Sequence, residues 1–197
     1  MPASISIDLI KELRARTQAS FADCREVLEE TSGDIEEAAK RLRMRGAAIA
    51  EKRGSRDTNA GIVEAYVHSN AKIGVLVDLR SETDFVARSD EFKKLAHDLA
   101  LHIAAAKPRF LSASDIPEDV LAEEKRLVTQ QFQGSGKPPQ VVEKIVLGKI
   151  QSLGKEICLL EQPFVKDPAK SVKSLLDEAV AKFGESIKIA AFSRLEI

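Results

Sequence analysis

Few residues in this chain stand in patterns that could carry chemistry. Gly134-Ser135-Gly136-Lys137 offers a glycine-rich turn and a lysine, the ingredients with which backbone amides cradle a phosphate at a helix N-terminus. A phosphate-binding loop needs a longer glycine spacing, a preceding strand, and a Ser or Thr after the lysine. Here Pro138 takes the hydroxyl position, and a connection between two helices fits the stretch better. The histidines are His68, His97 and His102. The spacing of His97 and His102 puts them on different faces of a helix, not on the shared face that a metal-binding pair needs. Cys24 and Cys158 both sit in apolar-periodic segments, without a CxxC or a Cys-His spacing that suits zinc. They read as buried thiols acting as small hydrophobes. There is no GxSxG nucleophile elbow and no outstanding acidic pair. Neither a cofactor nor a metal site is therefore expected, and no covalent catalysis.

The most unusual local feature is Ser81-Glu-Thr-Asp-Phe-Val-Ala-Arg88, which sets Phe85 in a short polar stretch. Two readings stand side by side. Phe85 either folds back onto the core or stands exposed beside Asp84. An exposed pair of this kind would make a wedge: apolar bulk to displace a partner's side chains, and a carboxylate to disturb a cation site. Loops held on rigid scaffolds carry binding residues more often than their share.

The elements that must position these residues follow from periodicity. Residues 1–46 read as three short helices with apolar faces Ile7/Ile10/Leu13, Cys24/Val27/Leu28 and Ile35/Ala38/Ala39/Leu42. Ser20 with Asp23, and Asp34 with Glu37, are capping patterns, and Gly46 reads as a C-terminal stop. Residues 47–60 read as a charged linker, helical at its start. From 61 the period changes to alternation: Val63, Ala65 and Val67 share one face, as do Val75, Val77 and Leu79, which predicts an antiparallel hairpin. Residues 81–88 leave it as a loop. A helix capped by Ser89 carries Phe92, Leu95, Ala96, Leu99 and Ile103, and two more helices open at Pro117 and Pro139. Residues 157–165 read as extended. A last helix ends at Gly184, and Ile187, Ile189 and Ala191 mark a third strand. The expectation is an α+β chain: a helical module at 1–46, then a core at 61–197 with a small three-stranded antiparallel sheet covered by helices.

Bulk properties suit an ordinary soluble globular protein. The chain has 197 residues, 44% hydrophobic and 31% charged, and no Trp. Its formal net charge is -1 without a basic stripe, so direct nucleic-acid binding is not expected. The N-terminus lacks the apolar run of a signal peptide, and no stretch approaches the roughly eighteen apolar residues of a membrane helix. A cytoplasmic protein without membrane contact is the expectation.

Several blocks in order resemble one family. Residues 11–43 resemble the N-terminal helical module of elongation factor Ts, and Thr83-Asp84-Phe85-Val86 matches that family's hallmark tetrapeptide after the hairpin. Residues 94–110, 136–150 and 159–168 resemble three further family blocks, so the likeness spans nearly the whole chain. The resemblance implies a UBA-like module that docks on the GTPase domain of elongation factor Tu. It implies a core that contacts a second domain of Tu, and guanine nucleotide exchange in translation elongation. Carried over, Thr83, Asp84, Phe85 and Val86 form the Tu-binding loop associated with loss of the Mg²⁺ that helps hold GDP, with Asp84 and Phe85 as the intruding pair. Longer members have a duplicated core and an inserted coiled coil. This chain reads as a short form with one core unit and without that insertion, and short forms are expected to dimerise.

Some positions depart from the family pattern. Thr17-Gln18-Ala19-Ser20 lacks the usual glycines, so its turn forms at a small conformational cost. Ser81 stands where Cys is frequent. Ser193 excludes a disulfide-linked dimer through that position. Two other functions compete: a UBA-like module recognising a different protein, and an enzyme acting on phosphorylated ligands through Lys137.

Overall fold

The computed structural model describes residues 5–17, 19–133 and 136–197. Three helices come first: α1 (Ile7–Thr17), α2 (Phe21–Glu30) and α3 (Ile35–Arg53). Ser20 caps α2 by accepting from the Asp23 N–H, and Asp34 caps α3 by accepting from Glu36 and Glu37. Their apolar faces meet in a small core of Ile10, Leu13, Cys24, Val27, Leu28, Ala38, Ala39 and Leu42. Arg16 bridges α1 to Glu36 of α3, and Arg45 bridges α3 to Glu26 and Glu30 of α2. Such exposed pairs contribute little each and mainly fix register.

Gly46 does not stop α3. The helix runs through it to Arg53, and the expected linker shrinks to the residues between Arg53 and the first strand. The reason is packing. Gly46 is buried against helix α8 (Val172–Phe183): a Cβ there would lie 3.6 Å from the Asp177 carbonyl oxygen and 3.7 Å from Ala181 Cβ. These are ordinary contact distances, so it is burial of this face against α8 that carries the helix through Gly46, and α3 is shared between the small helical core and the larger one.

The larger core holds a three-stranded antiparallel sheet in the order β1 (Ala60–Val67), β2 (Ile73–Ser81), β5 (Lys188–Glu196). Gly61, at φ +154°, pairs with Arg80 where a Cβ would fall 2.3 Å from the Leu79 carbonyl oxygen, so only glycine lets β1 start in register. One face of the sheet packs Val75, Val77 and Leu79, with Ile62 and Tyr66 beside them, against α5 (Asp90–Ala106). Val63, Ala65 and Val67 do share a face, but it is the open one, as their pairing with Asp78, Leu76 and Gly74 requires. A bulge opposite Asp78 and Leu79 shifts the alternation of β5. Ile189 faces the core, Ala191 is carried to the open face, and Phe192 turns inward.

Residues 157–165 are not one extended run. Cys158 ends α7 (Pro139–Ile157), a 3-10 turn follows at Leu159–Glu161, and β3 (Pro163–Phe164) pairs with β4 (Asp167–Ser171) as a separate two-stranded sheet. The N–H groups of Glu161 and Gln162 return to the Cys158 carbonyl, which closes the turn. Helix α6 (Glu118–Gln131) and α7 form a helix pair, with a small core of Ile116, Ile157 and Cys158 at its base. The two helices expected to open at Pro117 and Pro139 are these two, and they pack on each other. The helix packed directly on the sheet is α5, and α8 joins the same core. Among the described residues no helix is long and apolar enough to cross a membrane.

Candidate functional site

Between β2 and α5 the chain does not loop freely. Residues Asp84–Ala87 make a single helical turn, α4, with Thr83 as N-cap. Ser81, buried at the end of β2, donates its hydroxyl to the Thr83 carbonyl at 3.0 Å. Ser89 caps α5 by accepting from Phe92 N–H at 3.3 Å and donates to the Val86 carbonyl at 2.8 Å. Val86 and Ala87 are buried in the larger core and act as the plug of the turn.

Phe85 points the other way and is 88% exposed. Of the two sequence readings the exposed one describes the molecule. The ring is thus an apolar group left in water next to the buried Val86. Asp84 lies beside it on the surface and is not free: its carboxylate pairs with Arg88 at 2.5 Å. Both partners are well exposed, so this ion pair can exchange for another at small cost.

The turn is also fastened from a distance. Glu185, in the connection from α8 to β5, accepts from Thr83 N–H at 3.0 Å and from Thr83 hydroxyl at 2.6 Å. In the reverse direction Glu82 accepts from Ser186 N–H at 2.6 Å and pairs with Arg56 at 3.3 Å and Arg53 at 3.7 Å. The Ser186 N–H, then the Arg56 and Arg53 guanidiniums, hold the Glu82 carboxyl below the usual range. Arg53 also donates to the Gly184 carbonyl, where the chain turns through φ +69°. None of these anchors was found from the sequence. Glu185 and Thr83 are 102 residues apart, and no local pattern joins them.

The other candidates disperse. Gly134 and Ser135 lie outside the described residues. Lys137 sits 4.7 Å from the centre of the Phe132 ring, and the element before it is the helix α6, not a strand. His68 meets the Tyr66 hydroxyl at 2.8 Å, and His97 meets Glu64 at 2.9 Å. His102 is buried and bonds Gln162 at 3.0 Å and the Val165 N–H at 3.2 Å. Cys24 and Cys158 are free and buried, and burial pushes both thiols up. Among the described residues no three His, Cys, Asp or Glu side chains gather as a metal-binding group.

Comparison with known proteins adds a second line. The model of the family described as elongation factor TS matches residues 7–197. The elongation factor Ts of Carboxydothermus hydrogenoformans is 48% identical over 193 residues, covering 98% of this chain and 89% of that protein. That of Herpetosiphon aurantiacus is 49% identical over 194 residues, covering 98% of both. That of Thermotoga neapolitana is 49% identical over 193 residues, covering 98% of this chain and 97% of that protein.

Proposed function

This chain belongs to the elongation factor Ts family, and we propose that it is a guanine nucleotide exchange factor for elongation factor Tu. It binds Tu·GDP, disturbs the Mg²⁺ and phosphate site through Thr83, Asp84, Phe85 and Val86, and promotes GDP release without covalent chemistry. The observation that carries the loop's part is Phe85, almost wholly exposed on a turn plugged into the core by Val86 and Ala87.

The energetics are those of linkage. A factor that prefers nucleotide-free Tu must weaken GDP binding by the same coupling free energy. A thousandfold faster release requires a barrier lowered by about 4 kcal/mol. Disturbing a bound Mg²⁺ is the source this reading invokes, because bound cations are often the largest local charge at a phosphate site. Phe85 supplies the steric displacement. Asp84 leaves Arg88 and pairs with cationic groups of Tu exposed by the displacement.

The same reading includes a homodimer that supplies the second half-site. The open face of the sheet supports it: Val63, Val67, Leu76 and Leu195 are 66%, 69%, 50% and 74% exposed. An apolar sheet face of this kind is covered by sheet-on-sheet packing in β-sandwiches.

The test is stopped-flow release of a fluorescent GDP from Tu in millimolar Mg²⁺. Release that accelerates and saturates with added protein, and that drops with Phe85→Ala, is the expected result. An unchanged rate with Phe85→Ala would sink the assignment to this residue. No acceleration by the folded wild type would sink exchange itself.

A further inference from the structure

The exposed turn raises a mechanical question. Phe85 can displace a partner's side chains only if its own backbone resists the push. Val86 and Ala87 plug one end of the turn into the core, but α4 is a single helical turn and has little rigidity of its own. Its N-terminal end, next to Phe85, hangs from the end of β2.

We propose that Glu185 is the positioning residue of this site: its carboxylate clamps Thr83 and so fixes the direction in which Phe85 is presented. Both carboxylate oxygens are used. Oε2 accepts from the Thr83 backbone N–H at 3.0 Å and Oε1 from the Thr83 hydroxyl at 2.6 Å. Bonds to an ionised acceptor are shorter and stronger than neutral ones, and a two-point grip fixes orientation as well as distance. The Thr83 hydroxyl, having donated to Glu185, still accepts from the Val86 N–H at 3.5 Å, so the clamp continues into the turn. Glu185 is itself held in place. Its neighbour Ser186 donates its N–H to Glu82 at 2.6 Å, and Arg53 of α3 donates to the carbonyl of Gly184 on the other side. The two chain segments thus exchange carboxylates, Glu185 reaching across to Thr83 and Glu82 reaching across to Ser186. Arg53 joins this crossing to the helix that continues into the N-terminal module.

The proposal rests on the reading of Phe85 as the displacing residue, and the test separates the two. The chain has no Trp, so Phe85→Trp puts a single indole at the turn, excited apart from Tyr66 at the red edge of the absorption band. In that background Glu185→Ala is expected to lower the fluorescence anisotropy of the indole, whatever the protein's function. In the GDP-release assay Glu185→Ala is expected to lower the saturating rate by about tenfold, as loss of alignment does. The half-saturating concentration and the thermal midpoint should stay near wild type, and Glu185→Gln, which keeps one acceptor, should fall between. Unchanged anisotropy would overturn the proposal. So would a wild-type saturating rate for Glu185→Ala where Phe85→Ala is slow, or a rate that falls only together with the thermal midpoint. A wild-type rate for Phe85→Ala would instead count against the functional reading, with the anisotropy still deciding the clamp.

Discussion

His102 illustrates how a single residue sets a pH dependence that has no tie to the binding loop. Its Nδ1 lies 3.2 Å from the Val165 N–H and accepts from it, so the ring proton sits on Nε2, which donates to the Gln162 side-chain oxygen at 3.0 Å. Gln162 in turn donates to the carbonyls of Ala106 and Glu156. The network holds a neutral imidazole. Burial lowers its pKa, and the bond to Gln162 opposes that only in part. Above about pH 6.5 the ring is neutral folded or unfolded and costs nothing. As pH falls below that, the unfolded chain takes up a proton that the folded chain refuses, so stability declines until the folded pKa is passed. The thermal midpoint is expected to drop between pH 7.5 and 5.5, and His102→Gln should show a lower midpoint overall but a shallower drop. Equal slopes would remove His102 as the cause. The sequence placed His102 on a helix face different from that of His97, which the structure bears out, but its partners come from a turn 60 residues away and left no local signature. Phe85 is the converse case. Its type and setting were legible, while its exposure was not, because that depends on how the next two residues are buried.

At the scale of elements, caps were the most legible feature. Ser20, Asp34 and Ser89 act within three residues, so their chemistry is written locally. Gly46 was misleading for the opposite reason: what keeps it in a helix is α8, more than a hundred positions further on. Two substitutions test that account. Gly46→Ala would place its Cβ at 3.6 and 3.7 Å from α8, ordinary contact distances, while restoring helix propensity. It is expected to stabilise the protein by about 0.5–1 kcal/mol. A destabilised Gly46→Ala would mean that the two helices tolerate no approach beyond glycine. Gly61→Ala, by contrast, drives a Cβ into the backbone of β2 and is expected to cost ~2 kcal/mol or more. Urea midpoints at constant slope would read both. Gly61→Ala with the wild-type midpoint would show that β1 can start pairing later without loss.

For the molecule as a whole, the sheet's orientation was the feature that alternation alone could not decide. Along β1 both parities carry apolar residues, Ile62 and Tyr66 on one side and Val63, Ala65 and Val67 on the other. Only the pairing with β2 selects the inner face. The outcome leaves an apolar surface open on β1, β2 and β5, the reverse of an antiparallel sheet that faces water with polar residues. Leu76 lies at its middle, opposite Ala65 on one side and Ser193 on the other. In a two-fold dimer built on this face each sheet would cover the other, and a residue at the middle of the patch would meet the partner's patch. Leu76→Asp is expected to leave the fold intact, since the side chain touches no core, and to convert the dimer to a monomer in sedimentation analysis. If the second copy completes the contact with Tu, the monomeric variant should also need more protein for half-maximal GDP release at an unchanged saturating rate, because Phe85 is still presented. A wild type that sediments as a monomer would refute the dimer. A variant that loses saturating rate along with dimerisation would place the second copy in the displacement step itself, not in binding alone.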